Sequence, residues 1–279
     1  MSDAKAWDVM KFQGRMTTKP FTIVLCHQKG GVGKSSSAAA LGASFSEKGY
    51  STLLIDLDPS GNLTAGLGFS PDAAAVSFAD IFLSAVSPAE AVLHTTCANL
   101  DLMASNAELV AISHYLLSKK DYENLLLEIL LDSALSSYDL VIIDCPPALD
   151  ALTITALTAA DLAILPTPCE YYSLQALESV FALIRLVRNK TNPALRYRLL
   201  ITMFDRRGTF HRRVLEQIRA HYQNAILETV IGFDTKIRES QLLGVPITKH
   251  APNTRAAVQY RALAEELERY AQREIFQPA

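Results

Sequence analysis

The sequence predicts an α/β protein built on a doubly wound, mostly parallel sheet with helices on both faces. Short apolar runs of four to six residues recur along the chain, and stretches with helical spacing fill the gaps between them. The runs are continuously apolar, as strands covered on both faces are. Three of them end in a glycine-rich turn or in aspartate, at the edge where open α/β sheets place their ligands.

Residues 1–19 lack periodicity and carry scattered Lys and Asp, which predicts a flexible extension ahead of a single domain over 20–279. The first strand is Phe21-Thr22-Ile23-Val24-Leu25-Cys26. The first helix follows at 35–47, Ala-rich with Leu41 and Phe45 at i, i+4 spacing. Thr52-Leu53-Leu54-Ile55-Asp56 makes the second strand. Further strands are expected at 100–103, 139–143, 161–165 and 198–203, with a weaker one near 226–231. Helical patterns cover 121–135, 149–160 and 173–189. In a helix over 208–222, Phe210, Val214, Ile218 and Tyr222 recur every four residues and are expected to form its buried face. Within 255–279, Tyr260, Leu263, Ala264, Leu267 and Tyr270 form a core-packing stripe. No linker, low-complexity tract or internal repeat divides these elements, so one doubly wound domain is expected.

With 279 residues and 49% hydrophobic content, the chain can bury a full α/β core. No apolar run approaches the roughly 18 residues a membrane span needs, and the polar, mixed-charge start is not a secretory signal. Cys26, Cys97, Cys145 and Cys169 show no metal-ligand or paired spacing, which fits reduced core thiols in a cytoplasmic protein. The net charge of −3 argues against general nucleic-acid binding, but its distribution is uneven. Between Arg196 and Arg219 seven arginines face only Asp205 and Glu216, a local +5 against −8 elsewhere.

The chemistry concentrates at strand ends. After the first strand come Gln28-Lys29-Gly30-Gly31-Val32-Gly33-Lys34-Ser35-Ser36. A strand that ends in a glycine-rich turn and opens into a helix is a phosphate cradle, because backbone N–H groups and the helix N-terminus converge on an anion. Lys34 would reach the β- and γ-phosphates and the Ser35 hydroxyl would ligate Mg²⁺. The ordinary motif has glycine where Gln28 stands, and here a second lysine, Lys29, precedes the double glycine. Asp56 and Asp58 end the second strand on one face of it. Asp144 ends the run Leu140-Val141-Ile142-Ile143, where an aspartate can hold Mg²⁺ through its water shell. Apart from Asp58 there is no obvious general base, which suggests slow intrinsic turnover.

The K-G-G-x-G-K-S pattern of residues 29–35 resembles the deviant P-loop of the ParA/MinD ATPase family, closest to its ParA (Soj-like) branch. Asp56-Leu57-Asp58-Pro59-Ser60-Gly61-Asn62 is similar to that family's switch I, which usually has Gln in place of Ser60, and Asp144-Cys145-Pro146-Pro147 to its switch II. The likeness continues in Pro168-Cys169-Glu170-Tyr171-Tyr172-Ser173-Leu174, in Thr202-Met203-Phe204-Asp205 and in 230–246, so it spans about 20–270. It implies a P-loop fold with ATP and Mg²⁺ as cofactors, and hydrolysis to ADP and phosphate that a partner stimulates. Nucleotide-binding residues would be Lys29, Gly30, Gly31, Val32, Gly33, Lys34, Ser35 and Ser36. Ser35, Asp58 and Asp144 would serve the metal, and Lys29, Lys34 and Asp58 the catalysis, with Asp58 positioning the attacking water. Lys29 would reach the partner's nucleotide across a homodimer that sandwiches two ATP molecules. The adenine would lie near Met203 and the Gly232-Phe233-Asp234 turn, where many relatives have Pro-Arg-Asn.

On the helix over 208–222, Arg212 and Arg219 project from one flank and Arg213 from the other, beside Arg206 and Arg207. A basic stripe on a packed helix suits DNA phosphates, and an ordinary solvated face is the alternative. The resemblance favours nonspecific double-stranded DNA, with Lys236 and Arg238 in a second contributing stretch. It further implies a cytoplasmic, nucleoid-associated ATPase that partitions or positions a cargo through an adaptor of ParB type. A plasmid or chromosome centromere complex is the first candidate cargo, and a protein assembly such as a chemoreceptor cluster or carboxysome the second. A MinD-like membrane cycle is disfavoured, because 255–279 holds four Arg and four Glu with no cationic face. Cluster-handling P-loop chemistry is disfavoured too, since Cys97, Cys145 and Cys169 lack the pairing it requires.

Overall fold

The computed structural model describes residues 19–71, 76–83 and 86–272, with the backbone alone at 171–175. Eight strands form one sheet: β1 (Phe21–Leu25), β2 (Thr52–Asp56), β3 (Val92–His94), β4 (Leu100–Met103), β5 (Leu140–Asp144), β6 (Leu162–Pro168), β7 (Arg196–Phe204) and β8 (Ile226–Gly232). They lie in the order β3-β4-β2-β5-β1-β6-β7-β8. Every pairing is parallel except that of β3 with β4 at the edge. All seven expected strands are present, and β3 is one that the sequence pattern did not reveal.

Strand alternation divides the core in two. Ile23, Leu25, Leu54, Leu102 and Ile142 face the cluster built with α1 (Lys34–Glu47), α10 (Ile247–His250) and α11 (Arg255–Tyr270). Val24, Leu53, Ile55, Val141 and Ile143 face the other cluster. That side is covered by α3 (Phe78–Phe82), α4 (Leu109–Leu116), α5 (Leu125–Leu130), α6 (Ala151–Ala159), α7 (Tyr171–Lys190) and α8 (Thr209–Tyr222). The short α2 (Asn62–Gly66) follows β2, and α9 (Thr235–Leu242) follows β8. Helix α1 sits tightly on the sheet: a Cβ at Gly42 would lie 2.8 Å from Leu54 Cδ2.

The structure corrects three expectations of local form. The helix expected at 121–135 is broken. Asp121 adopts φ 57, short 3₁₀ turns flank α5, and the Asp132 carboxylate accepts the Ala134 N–H at 2.8 Å to start the second turn. Leu126, Leu130 and Leu135 are still all buried, so apolar spacing survives the break. Phe210 is 57% exposed and does not belong to the buried face of α8, which is made by Val214, Leu215 and Ile218. His211 takes the inward place instead, its ring 6.0 Å from Phe204 and its Nδ1 accepting the Asp205 N–H. Lys19, the last residue of the expected extension, is buried and ion-paired with Asp161 at 2.7 Å; residues 1–18 lie outside the described residues. The α11 stripe packs as expected, with Tyr260, Leu263, Ala264 and Leu267 buried.

Candidate nucleotide-binding site

Register brings the motifs together. Asp144 on β5 is the Cα partner of both Leu25 on β1 and Asp56 on β2, so the two aspartate-ended strands lie side by side, β5 next to β1, where the glycine-rich loop starts. The loop takes the conformation its glycines allow. Gly31 has φ +72, and Gly33, the residue before α1, has φ +94, a region costly for any side chain. Helix α1 carries no side-chain cap and no acid in its first turn, leaving its N–H groups to an anion.

Three tethers hold this loop. The Thr202 hydroxyl donates to the Val32 carbonyl at 2.9 Å, the Lys29 N–H donates to His27 Nδ1 at 3.0 Å, and the Ser37 and Tyr260 hydroxyls lie 2.9 Å apart. Lys34 is buried with its stem against the core, while Ser35 and Ser36 are half-buried. Lys29 is partly exposed and forms an ion pair with Glu170, at the N-terminus of α7.

The three aspartates have different environments. Asp56 is fully buried and accepts three bonds: Thr64 N–H at 2.9 Å and Thr64 hydroxyl at 2.7 Å on Oδ2, and Asp58 N–H at 3.1 Å on Oδ1. It braces the loop after β2. Asp58 lines the cleft, and its Oδ1 accepts from the Ser60 N–H and hydroxyl at 2.9 and 2.7 Å, leaving Oδ2 without a partner among the described residues. Asp144 is fully buried, and neither of its oxygens has a well-formed hydrogen bond. Burial, with Asp56 beside it, pushes Asp144 well above the usual carboxylate range, by more than the nearby Ser35 and Lys34 offset. Burial raises Asp56 as well, to about 7, against the three donors that pull it down. At neutral pH the pair therefore retains a proton. A buried carboxyl with two unused oxygens beside a serine and a lysine is what a hydrated Mg²⁺ would complete. The residues thus fit a magnesium–nucleotide complex, in which Ser35 and Asp144 would hold the metal.

A cleft of about 450 Å³ runs from the loop to the ends of β7 and β8. Gly30, Gly31, Gly33, Lys34, Ser35, Ser36 and Asp58 line one part, and Met203, Phe233 and Asp234 the other, while Val32 is buried and Lys29 lies outside the lining. Met203 holds φ 53, unusual for a side-chain-bearing residue, with its Cε against Gly33. Asp234 turns out to cap α9, its Oδ1 accepting the Lys236 N–H at 3.0 Å. Thr202, Ile237, Arg238, Gln241 and Tyr260 also line the cleft. Sequence reasoning missed these roles. The sequence places Tyr260 in the core stripe and Arg238 among the DNA contacts, and singles out neither Ile237 nor Gln241.

The basic run separates in space. Arg196 and Arg198 lie at the opposite end of the nine-residue β7, where Arg198 stacks on Tyr270 at 4.3 Å. Arg206 and Arg207 follow the carboxyl end of β7, and Arg212, Arg213 and Arg219 are exposed on α8. Arg207 approaches Asp205 at 3.6 Å, whereas Arg206, Arg212, Arg213 and Arg219 have no carboxylate partner among the described residues. Lys236 pairs with Glu239 at 2.6 Å. No helix among the described residues is long and apolar enough to cross a membrane. Cys26, Cys145 and Cys169 are buried, and burial pushes the Cys26 thiol up to about 12.

A family model described as an AAA domain matches residues 21–197. The sporulation initiation inhibitor protein Soj of Bacillus subtilis is 35% identical over 246 residues, which cover 88% of this chain and 97% of Soj. The chromosome partitioning protein ParA of Myxococcus xanthus is 34% identical over 247 residues, 88% of this chain and 87% of ParA. A crystal structure of cobyrinic acid a,c-diamide synthase from Mycobacterium smegmatis with bound ADP and magnesium has a TM-score of 0.80 at 32% identity, covering 93% of this chain and 98% of that one.

Proposed function

The chain belongs to the ParA/MinD-type P-loop ATPase family, with ATP and Mg²⁺ as its cofactors, and from that premise we propose that it is a nucleoid-positioning ATPase. In this reading it dimerises with ATP, binds double-stranded DNA without sequence preference, and partitions or positions a cargo in the cytoplasm through an adaptor of ParB type. A centromere complex of a plasmid or chromosome is the cargo we favour.

Phosphoryl transfer to water needs positioning and charge neutralisation more than covalent help. Lys34 and the N–H groups of residues 30–36 neutralise and orient the phosphates. Ser35 and Asp144 would hold Mg²⁺, which would offset charge on the phosphate oxygens when bound. Asp58, fixed by Ser60 through one oxygen, presents the other to a water. Lys29 leaves Glu170 to reach the nucleotide of the second protomer. With Asp58 the one carboxylate so placed, turnover is slow until the adaptor binds.

The observation that carries the DNA reading is the set of exposed arginines at 206, 212, 213 and 219 on and beside α8, without a carboxylate partner among the described residues, in a chain that is otherwise acidic. A single protomer's stripe binds weakly, since nonspecific Kd values run near ~10⁻⁴–10⁻⁶ M. Pairing two stripes in an ATP dimer raises effective concentration and makes binding nucleotide-dependent. Fluorescence anisotropy with random-sequence duplex across a salt series tests this. Wild type should bind with ATP and poorly with ADP. Arg212→Ala with Arg219→Ala should lower the salt slope of log K by about 0.9 for each phosphate left unneutralised, while ATP-driven dimerisation persists. An unchanged slope removes the stripe from the DNA face, and no ATP-dependent binding at all overturns the reading.

A further inference from the structure

The turn that closes β8 has spent its polar groups inside the protein. The Gly232 N–H donates to Gln259 Oε1 at 2.9 Å and the Phe233 N–H to the Phe204 carbonyl at 3.2 Å. The Phe233 carbonyl accepts from Arg255 Nη2 at 2.7 Å, and the Asp234 carboxylate caps α9. Arg255 packs so closely that a Cβ at Gly232 would lie 2.8 Å from its Nη2. This wall of the cleft is rigid, and its own backbone offers a ligand few free donors or acceptors. Recognition there falls to side chains.

Arg238, one turn into α9, lines the same wall. Its guanidinium lies over the Phe233 ring, 5.6 Å from the centroid, and it has no carboxylate partner among the described residues. Lys236, two residues earlier, is already paired with Glu239. In the sheet order β8 stands three strands from β1, roughly 14 Å at ~4.8 Å per strand. Seated on the Phe233 ring, Arg238 is therefore on the β8 side of the cleft.

We propose that Arg238 is a nucleotide-binding residue that, with Phe233, grips the nucleoside half of ATP, and is not a DNA contact. A guanidinium is a flat fork of five donors with no acceptor. The ring nitrogens of a purine and the oxygens of a ribose are acceptors, and a purine face stacks on a guanidinium or a phenyl ring. The assignment rests on the cleft being the ATP site.

Titration calorimetry with ATP, ADP and inorganic triphosphate tests it, on variants whose circular-dichroism melts match wild type. Arg238→Ala should weaken ATP and ADP alike by about tenfold and leave inorganic triphosphate unchanged. Arg238→Lys keeps the charge without the planar fork and should stay several-fold weak. The salt slope of DNA binding at saturating ATP should not move. Unchanged ATP affinity in Arg238→Ala overturns the proposal, and so does an equal loss on inorganic triphosphate, which would put the residue at the phosphates. A reduced salt slope with intact ATP affinity would return Arg238 to the DNA face. Lys34→Ala separates the two levels of inference. If it binds ATP like wild type, the cleft reading itself fails; if it loses ATP while Arg238→Ala does not, only this assignment falls.

Discussion

Asp144→Asn should stabilise the nucleotide-free protein at alkaline pH while destroying its response to magnesium. In the free protein Asp144 keeps a proton that burial and the neighbouring Asp56 make hard to lose, whereas an unfolded aspartate releases its own near ~3.9. Between pH 5.5 and 7 the native state thus carries at least one more proton than the unfolded chain, since Asp56 too is raised to about 7. Stability falls as pH rises wherever that is so, by about 1.4 kcal/mol per pH unit for each extra proton. For a chain of this size each such unit is on the order of 4 °C in Tm. Glu123, held low chiefly by its hydrogen bond from Lys190, loses its contribution only as pH drops below the ordinary glutamate value of 4.5, so it does not interfere. The variant lacks the Asp144 proton and keeps the one that burial favours on Asp56. Its Tm should match wild type near pH 5.5, exceed it at pH 8, and show a flatter pH slope between. Binding of Mg²⁺·ATP requires Asp144 ionised, so wild type should release close to one proton on binding and the variant none. Calorimetry in two buffers of different ionisation enthalpy reads that number. A wild-type Tm that climbs from pH 5.5 to 8, or a variant with the wild-type slope, refutes the shared-proton argument.

Asp58→Ala should keep ATP binding, lose phosphate release and accumulate the ATP dimer; a variant that no longer binds nucleotide would assign Asp58 to the metal or the fold. Lys29→Ala should bind ATP as a folded monomer, and light scattering showing wild-type dimerisation would end the cross-protomer role. Glu170→Gln frees Lys29 from an exposed ion pair of the kind contributing about 0–1 kcal/mol. Its dimerisation should therefore need no more than severalfold less ATP, and a requirement for more would show Glu170 helping the dimer. Gly244→Ala places a Cβ 2.5 Å from the Gly68 Cα at a position with φ +66. Backbone against backbone cannot yield as a side-chain tip does, so a loss of more than about 2 kcal/mol is expected in urea melts. A loss below about 1 kcal/mol would mean the loops after α2 and α9 part easily.

The strands were legible because burial on both faces writes a continuous apolar run, and a run that short excludes little else once it is followed by helical spacing. The helix at 121–135 was not legible as broken, since Leu126, Leu130 and Leu135 stay buried whether the backbone runs straight or steps through Asp121 in a left-handed turn. Phe210 misled for a related reason. Its spacing matched Val214 and Ile218, but at the first turn of α8 the inward position belongs to His211. The edge strand β3 is three residues long and only half-buried, too brief to leave a pattern.

What the sequence determined by itself was the phosphate cradle and the aspartates near it. These depend on glycine φ values, a helix start and strand ends, all local properties of the chain. What only the tertiary structure decided was how those ends combine. Parallel register sets Asp56 beside Asp144, and burial then makes one of them hold a proton. The nine-residue β7 sends Arg198 and Arg206 to opposite ends of the sheet although they are eight residues apart, while packing of α9 against the β8 turn brings Arg238 into the cleft. Charge, burial and the identity of a neighbour are sums over residues distant in sequence. They come into existence when the chain closes on itself.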